Sequence, residues 1–273
     1  MKTPGAADIL IAARLMLLDA MDALDEHRSA LVLVGARAIN LHTGNARVAL
    51  AESTKDSDFA FDPRRLQSDP LLEDAMRRAG FTHDPATTQP GSWLSPHGVP
   101  VDLMVPERLA GAGGSRSGRF APHSGRATRR TIGLETAVID CAPMIISALD
   151  MDDTRQIEMD VAGPAALLVA KLHKLGERQA TPGRLLDKDA HDVCRLLVAT
   201  DSATVAARLR QLREHELSRG VPRDALVYLQ ELFAAGPEAL GSTMAGRAEQ
   251  LVGSPATVSA SSSVLAADLL TLL

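Results

Sequence analysis

The sequence predicts an α+β protein, with a mixed sheet flanked by helices over residues 1–161 followed by an all-helical C-terminal lobe over 162–273. Three observations carry this expectation. Short apolar runs bounded by turn residues recur at 31–34, 56–61, 100–105, 134–141 and 156–161, and their length suits strands. Helical patterns separate the early runs. From Gly163-Pro164 onward every periodic stretch has helical spacing.

Taken in order, a helical pattern over about 5–27 precedes the strand Leu31-Val32-Leu33-Val34, which ends at Gly35. A helix over 36–43 follows, then a strand over 56–61. Pro70 to Ala79 reads as a helix that Gly80 ends, before strand-like Phe81-Thr82-His83. Trp93 precedes the strand 100–105, and further strands fit Leu134 to Cys141 and Gln156 to Val161. Pro164 suits the first turn of a helix running to about Gln179. Further helices fit 187–199, 202–217, 222–235, 237–252 and 263–272, and the serine-rich stretch Gly253 to Ser263 reads as a linker.

At 273 residues the chain can bury a full core, and 45% hydrophobic with 3% aromatic content makes that core one of Leu, Val, Ala and Ile. Cys141 and Cys194 give no disulfide framework and read as small buried hydrophobes. No segment has the apolar length of a membrane span. Asp8, Arg14, Asp19, Asp22 and Asp25 break the N-terminal pattern, so a signal peptide is not expected and a cytoplasmic location is. A net charge of -5 argues against a uniformly basic nucleic-acid surface but leaves room for a local basic patch.

Three aspartates stand out. Asp56 and Asp58 are spaced i, i+2, so on a strand they point the same way. Acids that close repel unless a divalent cation sits between them. Asp102 interrupts the apolar run Val101-Asp102-Leu103-Met104-Val105, and if that strand lies beside the first, three carboxylates converge. Hard oxygen ligands of this kind suit magnesium, which leaves positions for substrate phosphates. Gly35 adds a strand–glycine–helix unit, where a phosphate can approach the backbone and the first helical N–H groups.

Together the Gly35-Ala36 turn, Asp56-x-Asp58 and Asp102 resemble the polymerase-beta-type nucleotidyltransferase superfamily, and within it the AbiEii/MenT-like branch that includes toxins of toxin–antitoxin systems. Leu167 to Leu175, centred on Lys171, and Lys188-Asp189-Ala190-His191-Asp192 resemble that branch's later lysine and aspartate motifs, so the likeness spans about residues 30–197. The turn departs from the usual Gly-Gly or Gly-Ser, though backbone donors remain, and Thr43 to Ser53 looks like an insertion.

The resemblance implies a nucleotidyltransferase-type sheet and a magnesium-dependent enzyme that moves a nucleoside monophosphate from an NTP to an acceptor hydroxyl. Asp56, Asp58 and Asp102 would hold the metal. Gly35, Ala36 and Arg37 would take the nucleotide's phosphates, Lys171 would assist pyrophosphate departure, and Asp189 would position Lys171 or contact the nucleotide. Toxin-type members imply the tRNA 3′ end as acceptor and a cognate antitoxin as partner, with Thr54 placed where an antitoxin could phosphorylate the enzyme. Small-molecule and protein acceptors stay open, as does a catalytically silent nucleotide-binding or interaction module.

Arg108, Arg116, Arg119, Arg126, Arg129 and Arg130 fall in a glycine-rich stretch with no acid after Arg108, expected to be a mobile basic loop able to grip a triphosphate or an RNA backbone. Lys171, Lys174 and Arg178 share one helical face, which as a bland alternative is a solvated stripe. Asp192 is expected to be structural. His191-Asp192 also resembles the His-Asp pair of metal-dependent phosphohydrolases, but only His173 lies nearby to extend such a set.

Overall fold

A computed structural model describes residues 6–44, 56–113 and 116–273. Thr54 and most of the stretch from Thr43 to Ser53 lie outside them. The described chain forms two compact units: residues 6–37, 56–131 and 141–162 make the first, and residues 38–44, 132–140 and 163–273 the second.

The first unit is built on one mixed sheet. Its strands are β1 (Leu31–Val34), β2 (Ser57–Phe61), β3 (Thr82–His83), β4 (Ser92–Leu94), β5 (Pro100–Pro106), β6 (Arg129–Thr131), β7 (Cys141–Ser147) and β8 (Gln156–Ala162). Their order is β3-β4-β5-β2-β1-β8-β7, and β6 also pairs with β5. β1 runs antiparallel to β2 and parallel to β8, while β2 and β5 are parallel. Helices α1 (Ala6–Ala23) and α3 (Leu72–Arg78) accompany the sheet, and α2 (Gly35–Thr43) follows β1 directly.

Pairing register sorts the sheet's side chains by face. Leu103, Phe59, Leu33 and Val161 align across four strands and are fully buried, so this row is apolar core. One residue along, Asp102, Asp58 and Val34 align on the opposite face. A one-residue slip would exchange the two rows, and the apolar row therefore pins where the acids point.

The second unit is helical: α4 (Pro164–Arg178), α5 (Asp187–Ala199), α6 (Ser202–Glu214), α7 (Val221–Leu229), α8 (Leu240–Ala248) and α9 (Pro255–Thr271), with a π-turn Gln230–Ala234 after α7. Pro164 occupies the first turn of α4 behind Gly163, and the Asp201 side chain caps α6 by accepting the Thr204 N–H. The described protein is thus α+β, with a mixed sheet flanked by helices and a helical C-terminal region. No described helix is long and apolar enough to cross a membrane.

Several expectations are corrected. The N-terminal helix ends at Ala23, and the chain tightens into a 3-10 turn over Asp25–Ala30 that buries His27 and Ala30. Leu134 to Asp140 is a set of turns, held by Glu135 accepting the Gly133 N–H and by the Thr136 hydroxyl donating to the Gly133 carbonyl; the strand begins only at Cys141. Residues 92–94 and 129–131 are strands that the sequence reading did not give.

The serine-rich linker is a helix from Pro255 onward. Pro255 starts it, the Ser262 hydroxyl donates back to the Val258 carbonyl, and serine's small size lets α9 pack closely on α8. A Cβ at Gly246 of α8 would overlap the Ser259 hydroxyl and come within 2.6 Å of the Pro255 carbonyl oxygen. Gly246→Val should therefore cost about 2–3 kcal/mol in a denaturant titration, by overpacking. An unchanged midpoint would mean that the two helices part easily.

Candidate active site

β1 ends at Val34, and Gly35 opens α2 with φ +68°, in the left-handed region that favours glycine. Asp58, paired with Val34, lies over this turn: a Cβ at Gly35 would stand 2.8 Å from Asp58 Cγ and 2.9 Å from its Cβ, overlapping the carboxylate. Gly35 is thus the floor of the acid's position. Asp58 also pairs in register with Asp102 on the neighbouring parallel strand, about one strand spacing of 4.8 Å away. Both are half-buried.

Asp56 stands one residue outside β2. Its carbonyl oxygen accepts from Arg37 Nε at 3.4 Å. Arg37 is 7% exposed, and its pKa is pushed down to about 10, first by burial and then by the nearby Arg14, against the opposing pull of Asp56 and Asp58. The Arg37 guanidinium therefore senses both acids. Ala36 follows Gly35 in the first turn of α2.

Asp102 has a partner that the sequence did not suggest. Arg129 Nη2 on β6 donates to Asp102 Oδ2 at 2.8 Å and lies 3.3 Å from Met104 Sδ. Among the described residues no three carboxylate, histidine or cysteine side chains form a group able to hold a metal ion. The two acids that do adjoin, Asp58 and Asp102, are hard oxygen donors. That donor set fits magnesium, which takes one or two protein carboxylates and completes its shell with water and phosphate oxygens.

The chain matches no protein-family model, no curated protein and no solved structure.

The described part of the basic segment is hydrogen-bonded, and its end, expected as loop, is a strand at Arg129–Thr131. Arg130 N–H donates to the Arg116 carbonyl, Gly118 N–H to Thr128, and Arg119 N–H to Ala110. Arg129 is held by Asp102, and Arg130 reaches the Gly111 carbonyl at 2.6 Å and Glu107 at 3.8 Å. Arg108, Arg116, Arg119 and Arg126 are exposed. Sequence reading also passed over Asp160, which lies on the same sheet face as the acids, in register with Val32, and meets Arg65 at 3.5 Å.

In the second unit, Lys171, Lys174 and Arg178 of α4 converge on Asp189 of α5, at 2.8, 2.8 and 3.4 Å. Lys171 also meets Asp192 at 2.7 Å. The expected cationic stripe is therefore not a solvated one. Burial works to raise the Asp189 pKa, but Lys171 and Lys174 outweigh it and hold the carboxyl below the usual range. For Lys171 burial works the other way, and Asp189 with Asp192 outweigh it, raising the ammonium above its ordinary value. Arg195 extends the cluster to the Asn40 and Thr43 side chains.

His191 and His173 are engaged elsewhere. His191 Nε2 and Glu249 Oε1 are 2.7 Å apart, both buried, and His173 Nε2 is 2.9 Å from the Val221 carbonyl. Neither arrangement assembles the histidine set of a phosphohydrolase.

Proposed function

We propose that the first unit is a magnesium-dependent nucleotidyltransferase site, which transfers a nucleoside monophosphate from an NTP to an acceptor hydroxyl. One observation supports this reading most: Asp58 and Asp102 adjoin on one sheet face, with Asp58 seated over the positive-φ Gly35 that opens α2. Asp58 and Asp102 would hold the metal. Bound there, magnesium would neutralise phosphate charge and lower the pKa of the acceptor hydroxyl. Gly35, Ala36 and Arg37 present backbone N–H groups and a buried guanidinium for the phosphate tail. In the second unit, the ion pair fits Asp189 as the group that positions Lys171. The acceptor class, tRNA among the candidates, and an antitoxin partner rest on the sequence resemblance.

The test is transfer itself. Protein incubated with magnesium, each α-labelled NTP in turn and total tRNA or the protein alone as acceptor should pass label to an acceptor and release pyrophosphate. Asp58→Asn should reduce the rate at least about a hundredfold while leaving the fold intact. Nucleotide binding without transfer by the wild type would instead make the protein a binding module. Label transfer unaffected by Asp58→Asn would place the chemistry elsewhere.

A further inference from the structure

Arg129 is a built part of the acidic site. Its backbone pairs with Met104 of β5 and bridges to Ser117, and Gly91 lies so close that a Cβ there would stand 2.5 Å from the Arg129 nitrogen. The strand thus fixes the backbone from which the guanidinium reaches Asp102. Both side chains are largely shielded, at 19% and 26% exposure. Two adjoining carboxylates repel each other, and Arg129 supplies a positive charge at Asp102 Oδ2.

We infer that Arg129 is a placeholder cation: it and a divalent metal ion compete for Asp102, so metal loads only when the guanidinium is drawn away. This rests on the nucleotidyltransferase reading and adds a regulation of that site. A guanidinium and a divalent ion repel strongly at one carboxylate oxygen, so they exclude each other. The group displaced from Asp102 needs another anion, and a phosphate accepts it in the same bidentate manner as a carboxylate. Metal and nucleotide then favour each other's binding by linkage, although Arg129 disfavours metal alone.

The experiment is a Mn2+ titration of the nucleotide-free full chain, followed by electron paramagnetic resonance of the free ion. Arg129→Gln should bind Mn2+ about tenfold more tightly than the wild type, because one local positive charge is gone. Arg129→Lys, which keeps the charge, should stay close to the wild type. A second measurement needs no substitution: phenylglyoxal labelling of Arg129 in the wild type, read by mass spectrometry, should rise when Mn2+ is added.

Equal Mn2+ affinity in Arg129→Gln and wild type, with binding lost in Asp58→Asn, overturns the placeholder role and leaves the metal site standing. Labelling of Arg129 that is unchanged or lowered by bound Mn2+ overturns it as well. No Mn2+ uptake by the wild type or by Arg129→Gln removes both the inference and the reading beneath it.

Discussion

Asp189→Ala is expected to lower the stability of the helical unit by about 3 kcal/mol at neutral pH, the range seen when one partner of a buried ion pair is removed. The Asp189 side chain is 1% exposed and receives two lysines and an arginine from α4. Without it Lys171, 8% exposed, keeps Asp192 among the described residues, while the more exposed Lys174 can turn toward water. A denaturant midpoint shifted by less than about 0.5 kcal/mol would place the cluster with ordinary surface pairs.

The same cluster sets a pH window. Asp189 is held below its unfolded pKa of about 3.9, so its stabilisation is complete above that value and is lost as pH falls through the lower folded one. Lys171 is raised above its unfolded pKa of about 10.4, so its share is complete below that value and is lost as pH rises through the higher folded one. The stability difference between wild type and Asp189→Ala should be flat from about pH 5 to 9 and shrink in strong acid. A difference that fell steeply near neutrality would show another group to be responsible.

Gly35→Ala should have the largest effect in the first unit. Alanine costs about 1–2 kcal/mol in the left-handed region, and its Cβ must also push the Asp58 carboxylate aside. A total of about 2–4 kcal/mol in stability is expected, with loss of Mn2+ binding by the displaced acid. Ala36→Gly, one residue on, should cost no more than about 1 kcal/mol and keep Mn2+ binding. Thermal melts with the Mn2+ titration read both quantities. Equal behaviour of the two variants would mean that Gly35 is not what seats Asp58.

Much of the arrangement was legible where residues carry strong local signals. β1 and α5 match their predicted bounds, and α4 begins at Pro164, in the first-turn position expected of it. Asp58 and Asp102 could be singled out because each interrupts an apolar strand, although only pairing register places them side by side. The signals failed where long-range packing overrides local chemistry. Leu134 and Ala137 are buried as a strand's residues would be, yet they sit in turns fastened to Gly133. The serines of α9 mimic a linker in composition but pack as small helix residues. By sequence Arg129 reads as one of a loose basic run, because nothing local announces that β6 pairs with β5.

The helical unit draws on three stretches of chain, 38–44, 132–140 and 163–273, two of which are embedded between segments of the sheet unit. A single cut therefore cannot divide this protein into two complete modules. A fragment starting at Gly163 would lack Asn40 and Thr43, which hold Arg195, and Asp140, whose carboxylate is bound by Arg208. The two units are in this sense obligate co-inhabitants of one polypeptide, and evolution could not have exchanged either by simple end-to-end shuffling.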